Sequence, residues 1–199
     1  LYEEWLKVRG LDQSVSAFRA TGENNVTLAR KAFEFIKANP GCWIVATDVE
    51  SFFDTINHET LKKTWAKLLS VARLPDDHYA VYKAITRYSV VPRHKVYNLF
   101  GVPLASRKNK AGDPKRLCTP RQFREKLVPR GLMQPNPGLG KGVGIPQGSS
   151  LSPLLSNMYM ANLDLALHCW VTSLGGAYWR YCDDILIVVP RRKRPPILG

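Results

Sequence analysis

Acidic residues stand at two places in the chain where short apolar runs end. The run 42–49 is rich in β-branched residues, which predicts a buried central strand, and it carries Asp48 near its end. Asp183 and Asp184 separate two further strand-like runs, which predicts a β-hairpin with both carboxylates at its tip. If the first run and the hairpin share one sheet, Asp48 and Asp183 meet at its edge. The two hairpin runs are 177–182 and 185–190.

Carboxylates that lie so close together need a cation if all of them are to remain ionised. Hard oxygen ligands in small number favour Mg²⁺, which also binds the phosphates of a substrate. The pattern is therefore typical of two-metal phosphoryl transfer, with ions about 3.5–4 Å apart. Taken singly, each motif has a plainer interpretation: Asp48 as the cap of a helix or turn, and the Asp183-Asp184 pair as an ordinary turn.

A glycine-bounded loop at 144–148 (GIPQG) is the third candidate element. Its glycines allow the backbone to approach a ligand closely, and amides at the start of the following helix favour phosphate. Gln147 is a neutral side chain that could reach a nucleotide or a template base. The alternative is a plain loop before a helix, which we expect to carry Pro153 in its first turn.

Apolar spacing predicts several helices around these motifs. One helix begins at Asn24 or Asn25 and ends at 39–41, and others cover 58–70 and roughly 76–89. From 92 to about 142 the pattern gives way to Pro, Gly, Lys and Arg, which predicts a long functional or partly disordered loop. We expect the first helix to share one face among Leu28, Ala29, Ala32, Phe33 and Ile36, and the helix after the glycine loop to bury Leu151, Leu154, Leu155 and Met158.

The formal net charge of +13 is concentrated in two segments. Residues 92–130 hold eleven basic and two acidic side chains, and the tail from 191 to 194 is entirely basic. Such focused charge favours a polyanionic partner, because each cation that neutralises a phosphate releases a counterion. The alternative is a solvated basic loop. The candidate nucleic-acid-binding residues of this stretch are Arg107, Lys108, Lys110, Lys115 and Arg116.

Composition excludes other classes. The 45% of hydrophobic residues rule out a disordered chain, and the apolar runs are too short for a membrane span. Four widely spaced cysteines, without CxxC, argue against a disulfide framework or a zinc site and suit a reducing cytosol, so we expect a cytoplasmic protein. The chain has no signal-peptide pattern, and the missing initiator Met leads us to expect a fragment.

Three motifs in fixed order carry a resemblance to a known family. DVESFFDTI, GIPQGSSLSPLLSN and YCDD resemble the palm of reverse transcriptases, and their wording is similar to the prokaryotic branch of retron, group II intron, abortive-infection and defence-associated enzymes. The AFRATGENN stretch is similar to the segment that precedes the first catalytic Asp of that family. The resemblance covers about residues 17–70 and 143–190.

The resemblance implies a role for individual residues. Asp48 and Asp183 would be the catalytic metal ligands, and Asp184 would complete the acid cluster. Phe53 would be the steric gate that excludes ribonucleotides, with Phe52 or Phe53 alternatively packing in the core. His58 would orient the start of a helix.

Two further sets of residues match binding positions of the family. The loop residues would contact the incoming nucleotide and the template, and Arg19 stands where the family often has a basic residue that faces nucleic acid. The loop residues are Pro146, Gln147 and Gly148.

The implied fold is α+β: the palm of a right-hand polymerase, with a small antiparallel sheet packed on helices, partial fingers and no visible thumb. We expect a fingers-proximal segment, a first palm part, a basic insertion, a second palm part with the Asp-Asp hairpin, and a basic tail. These are 1–41, 42–91, 92–142, 143–190 and 191–199.

The implied function is RNA-templated DNA synthesis with two Mg²⁺ ions, for which Mn²⁺ is an alternative, in a retron-like or anti-phage defence system. The expected partners are a structured noncoding RNA template, a DNA primer or product and deoxynucleoside triphosphates, with a homo-oligomer or partner protein as a further option. Two alternatives stay open. They are a group II intron maturase and a palm remnant that binds RNA without catalysis.

Overall fold

The computed structural model describes residues 1–19, 23–103 and 117–191. The helices are α1 (Tyr2–Val8), α2 (Asn25–Ala38), α3 (Phe52–Thr55), α4 (His58–Leu68), α5 (Asp76–Thr86), α6 (Arg93–Leu99), α7 (Pro120–Gln122) and α8 (Ser152–Ser173). The strands are β1 (Trp43–Thr47), β2 (Ser89–Val90), β3 (Gln134–Pro135), β4 (Ala177–Tyr181) and β5 (Asp184–Val189). None of the helices in these ranges has the length and apolar character that crossing a membrane requires.

The larger sheet in the described ranges has three antiparallel strands in the order β1-β5-β4. Strand β5 pairs with β1 from Trp43↔Val189 to Thr47↔Ile185, and with β4 on its other side. The predicted sheet and hairpin are confirmed. The turn is placed one residue earlier than predicted, because Tyr181 pairs with Asp184 and the two loop residues are therefore Cys182 and Asp183.

Strand β1 was predicted as a buried central strand, and this prediction was wrong. All five of its residues are exposed, including Trp43, Ile44 and Val45 at 48%, 50% and 49%. Within the described ranges β1 pairs with β5 alone, so it is an edge strand of the sheet. A short apolar run has the same sequence pattern in a central strand and in an edge strand, because the pattern does not show which neighbours cover the strand.

The main core lies between the sheet and α8. This helix packs on α4 and on strand β4, and its residues Leu155, Met158 and Ala161 are buried. Of the four residues predicted to form its buried stripe, Leu151 and Leu154 are instead 43% and 42% exposed. The burial of α8 on several sides makes a single-stripe prediction fail at its first turn.

Helix α2 covers the opposite face of the sheet. The Oδ1 of Asn24 accepts hydrogen bonds from the amides of Val26 and Thr27, so the predicted cap is confirmed. Leu28 and Ala32 are buried, but Phe33 is 71% exposed and Ala29 is exposed as well. The residues that pack with this small core are Leu28, Ala32, Phe35 and Ile36, which is a helical stripe rotated from the predicted one.

The stretch 92–142 has more regular structure than its composition predicts. It contains α6, α7 and π- and 3₁₀-helical turns over Phe123–Leu127, Val128–Arg130 and Leu139–Lys141. Strand β3 pairs with β2 across this stretch. The prediction of a single structureless loop was therefore wrong for the described parts of it, and residues 104–116 lie outside those parts.

Candidate functional site

The strand register brings two acidic residues together. The pairing of β1 with β5 ends at Thr47 and Ile185, and continuing this antiparallel register by one step sets Asp48 opposite Asp184. Directly opposed residues of an antiparallel pair have Cα atoms roughly 4.5–5.5 Å apart. The side chains of both acids are exposed. Two segments more than a hundred residues apart in sequence thus bring acidic residues to the same end of the paired strands.

The two acids line one groove between α2 and the sheet. The groove has a volume of about 600 Å³, and Asp48 and Asp184 are among its lining residues. Its other walls are mostly apolar. They are formed by Asn25, Leu28, Ala29, Ala32, Ala46, Thr47, Trp179, Tyr181, Ile185 and Leu186.

Asp183 lies in the hairpin turn and is half-buried. Its neighbour Cys182 has a φ of +60°, and a positive φ at the first turn residue is the feature of type II′ hairpins, where glycine is usual. Among the residues that the structure describes, no group of three or more His, Cys, Asp or Glu side chains is arranged to hold a metal ion. Asp48 and Asp184 line one groove and Asp183 lies in the adjacent turn, and a site formed by all three acids stays a prediction.

The donor set of this pair fits a hard divalent cation. Mg²⁺ in phosphate-handling proteins is commonly held by one or two carboxylates, while waters and substrate phosphates supply its remaining ligands. Asp48 and Asp184 provide such a set of exposed oxygen donors on one face of the sheet. These two residues could hold the ion, and a third carboxylate would have to come from Asp183 in the turn.

The glycine loop is fastened to the segment that follows β1. The amide of Gly144 donates to the carbonyl of Ile56 and the amide of Ile145 donates to the carbonyl of Phe53, both at 2.9 Å. Gly144 has a φ of +93°, and a Cβ there would lie 3.3 Å from both Asn136 Oδ1 and the Asp54 carbonyl oxygen. Glycine is required at this point because the loop and the α3 segment approach so closely.

Phe52 and Phe53 divide the two roles that the sequence left open between them. Phe52 is 3% exposed and packs in the main core, with its ring 6.4 Å from that of Tyr159. Phe53 is half-buried beside the loop, and its carbonyl is bonded to Ile145. The residues Gln147 and Gly148 are exposed and Pro146 is half-buried, so the tip of the loop is accessible.

Two buried polar residues hold the glycine loop in place. The Nε2 of His58 is 2.7 Å from the carbonyl oxygen of Gly144, and its backbone amide donates to Gly142. The Asn136 amide group donates to the carbonyls of Thr86, Val143 and Gly144, each at 3.1 Å. His58 is the first residue of α4, as the interpretation of a helix-start residue requires. Asn136 was not singled out from the sequence.

Arg19 has a different role from the expected contact with nucleic acid. Its side chain is 1% exposed and pairs with Glu3, and its Nη1 donates to the carbonyls of Asp12 and Val15 at 2.6 Å. A guanidinium with its donors bound inside the protein is not presented to a phosphate, so this expectation was wrong. The other candidate nucleic-acid contacts lie outside the described residues: Arg107, Lys108, Lys110, Lys115 and Arg116.

The opposite face of the hairpin carries a buried ion pair that the sequence-based search missed. Arg180 and Asp164 both have 0% exposed side chains, and Nε and Nη2 of the arginine donate to the two carboxylate oxygens at 2.6 and 2.7 Å. A further arginine donor reaches the carbonyl of Cys182 at 2.7 Å, and Tyr178 donates to Asp164. In the described part of the chain, every buried side-chain nitrogen or oxygen has a hydrogen-bond partner.

Burial and the ion pair shift the pKa values around the hairpin. Burial alone lowers the pKa of Arg180, but the hydrogen bonds and the charge of Asp164 outweigh it, so that the pKa is raised above its ordinary value. Burial, followed by the charge of Asp164, raises the pKa of Tyr178. Burial, followed by interactions with Asp183, raises the pKa of Cys182 to about 11. At neutral pH Arg180 is therefore charged, and Tyr178 and Cys182 are protonated and neutral.

Comparison with known proteins gives a likeness of fold. No protein-family model matches the chain, and no curated protein matches its sequence. Apo telomerase from Candida tropicalis, truncated from its C-terminal domain, is similar with a TM-score of 0.58 at 14% identity, over 96% of this chain and 32% of that one. Telomerase from Candida albicans in complex with a fragment of telomeric RNA gives a TM-score of 0.50 at 15% identity, over 96% and 30%.

These matches establish the fold class. The chain has a reverse-transcriptase-like α+β fold, since telomerase is a reverse transcriptase, and at these identities the likeness concerns the fold alone. The chain spans about a third of the length of the telomerases that it matches. The expected α+β fold with a small antiparallel sheet packed on helices is thereby confirmed, whereas the prokaryotic branch of the family finds no support among these neighbours.

Proposed function

We propose that the chain forms the palm, with part of the fingers, of an RNA-templated DNA polymerase. The observation that carries this proposal is that Asp48 and Asp184, at the same end of the paired strands β1 and β5, line one groove. Neighbouring carboxylates that can hold divalent cations suit nucleotidyl transfer. The telomerase-like fold supports the same class of enzyme, and one of those telomerases is in complex with RNA.

The reaction joins a primer 3′-oxygen to the α-phosphorus of a deoxynucleoside triphosphate. The bond between the α-phosphorus and the bridging oxygen breaks, pyrophosphate leaves, and the hydroxyl proton passes to solvent. Asp48 and Asp184 would hold the divalent cations, with Asp183 as the third acid. Bound Mg²⁺, or Mn²⁺ as an alternative, would favour ionisation of the primer hydroxyl and neutralise the charge that develops on pyrophosphate.

In this proposal, Phe53 and the glycine loop select the substrate. Phe53 is held beside the glycine loop by the bond from Ile145, and its ring excludes a 2′-hydroxyl on the incoming sugar. The exposed tip formed by Gln147 and Gly148 contacts the nucleotide and the template base. His58 and Asn136 fix the loop and so fix the distance between this tip and Phe53.

The biological setting is also part of the proposal. The wording of the three motifs favours the prokaryotic branch, with a structured noncoding RNA as template in retron-like or anti-phage defence, and an intron maturase as the runner-up within enzymes. The net charge of +13 suits an RNA partner. The second candidate function is a non-catalytic module that binds RNA, which the same positive charge suits equally.

Primer extension by the full-length protein on an RNA template separates these candidates. We expect the wild type to incorporate deoxynucleotides with Mg²⁺ or Mn²⁺ and Asp183→Asn to lose at least about 10³-fold of this rate, since metal stabilisation contributes several kcal/mol. Asp76→Asn is the matched control, because Asp76 is an exposed acid in the first turn of α5. Incorporation by Asp183→Asn at the control's rate would rule out the proposed site, and RNA binding without incorporation by the wild type would favour the non-catalytic module.

A further inference from the structure

We infer that Arg180 is a positioning residue for Asp183, acting on the hairpin turn from the buried face of the sheet. This inference rests on the proposed function of Asp183 and deepens it. The guanidinium does not reach the groove, since its side chain is fully buried among residues of β4 and α8. Its effect on the reaction passes through the backbone of the turn.

The contact with the turn is a charged hydrogen bond. Nη1 of Arg180 donates to the carbonyl oxygen of Cys182 at 2.7 Å. This carbonyl and the amide of Asp183 belong to one planar peptide unit, so a bond that fixes the carbonyl also fixes the orientation of the Asp183 backbone. Hydrogen bonds with an ionised donor are shorter and stronger than neutral ones.

Helix α8 holds the guanidinium in turn. Asp164 accepts two bonds from Arg180, at 2.6 and 2.7 Å, and Asn157, two helical turns earlier, accepts another at 3.1 Å. The two-pronged geometry leaves the arginine little freedom to rotate. A rigid element of the core therefore determines where the turn lies.

A stabilising role alone does not explain this arrangement. A buried ion pair contributes little net stability relative to packed apolar side chains, because desolvation of both charges offsets their attraction. Cys182, whose carbonyl accepts this bond, has a φ of +60°, a backbone conformation that residues other than glycine rarely adopt. An extra bond at that carbonyl keeps the turn in this conformation. The same helix begins just after the glycine loop, where Ser152 donates to the Pro146 carbonyl at 2.5 Å.

The test removes both charges together in the full-length protein. Asp164→Leu with Arg180→Met leaves no unpaired buried charge, and such exchanges are commonly tolerated by folds. Arg180→Lys is the second variant, since it keeps a cation next to Asp164 but lacks the Nη1 donor that reaches the Cys182 carbonyl. Asn162→Ala is the matched control: Asn162 lies on α8 close to Asp164, but it bonds Thr64 and Lys67 instead of the hairpin.

Two readouts are measured on each variant. We expect kcat for deoxynucleotide incorporation to fall roughly 10- to 100-fold, as when residues behind metal ligands are changed. KM for the nucleotide and the melting temperature should stay close to those of the control. Amide hydrogen exchange at positions 182–184 should become faster in both hairpin variants and stay unchanged in Asn162→Ala.

The outcomes separate this inference from the proposed function. A folded variant with wild-type kcat, or with unchanged exchange at the turn, overturns the role of Arg180. If the wild type itself incorporates no nucleotide, the proposed function fails, and the exchange measurement still decides whether Arg180 holds the turn. If Asp164→Leu with Arg180→Met does not fold, Arg180→Lys is judged by the same two readouts.

Discussion

The two faces of the three-stranded sheet treat acidic side chains in opposite ways. On the face covered by α8, Asp164 is completely buried and is bonded by Arg180 and Tyr178. On the face beside α2, Asp48 and Asp184 are exposed at a groove and oppose each other across the register. A buried charge must find its partners within the protein, whereas adjacent exposed acids remain available to a cation from outside.

The contrast is present within a single hairpin. Arg180 and Asp184 are four residues apart, yet Arg180 is buried in the core and Asp184 is exposed. A strongly basic chain that keeps two acids next to each other at a groove concentrates negative potential there. Removal of one partner of the buried ion pair on the α8 face should therefore affect stability first, and changes to the exposed acids on the α2 face should affect metal binding and catalysis first.

The largest effect on stability is expected from removing one partner of the buried pair. Asp164→Ala leaves the Arg180 charge without its carboxylate and should lower the free energy of unfolding by about 3–5 kcal/mol. Asp184→Asn, on the exposed face, should change it by less than about 0.5 kcal/mol. Urea denaturation of both variants measures the difference. Equal losses would mean that the two faces do not differ as described.

The adjacent rings of Phe52 and Phe53 test the contrast at closer range. Phe53→Val should reduce the preference for deoxynucleotides over ribonucleotides by roughly 10- to 200-fold, the range for a small steric difference in a pocket. Phe52→Ala should instead destabilise the fold by about 3–5 kcal/mol, since Phe52 is 3% exposed in the core. Competition between the two nucleotide types in primer extension is the measurement. An unchanged preference in Phe53→Val would place the gate elsewhere.

The smallest expected effect concerns the thiol of Cys182 in the hairpin turn. Burial and Asp183 raise the pKa of Cys182 to about 11, so at pH 8 its thiol remains protonated. Alkylation at that pH should be at least about tenfold slower than at the exposed Cys169, since the thiolate is the reactive form. Mass spectrometry of timed samples gives both rates, and equal labelling would contradict the buried position of Cys182.

The raised pKa of the Cys182 thiol also links stability to pH. Its contribution to the free energy of unfolding is fully present below pH 9 and is lost as the pH rises through about 11.

Much of the site was predictable from local pattern. The hairpin, the strand before Asp48 and the capped start of α2 follow from short-range signals, and the structure contains all three. The pairing of β1 with the hairpin was expected only on the condition that both belong to one sheet. The turn was misplaced by one residue because Cys182, in place of a glycine or an asparagine, adopts the positive φ.

Other features depend on contacts between distant residues. The exposure of β1 and the choice of Phe35 over Phe33 on α2 are decided by what packs against them. The buried pair did leave a signal that was overlooked. Asp164 is the only charged residue in α8, and Arg180 lies in the alternating pattern of a strand that is otherwise aromatic or apolar. A single charge in each of two apolar elements predicts that the two meet.

Binding of Mn²⁺ to the full-length protein, followed by electron paramagnetic resonance, tests the central claim most directly. We predict that the wild type binds the ion and that Asp48→Asn and Asp184→Asn each weaken binding at least about tenfold, because each removes one of two opposed carboxylate ligands. Asp76→Asn should bind as the wild type does. Wild-type affinity in a variant that carries both Asp48→Asn and Asp184→Asn would contradict the account.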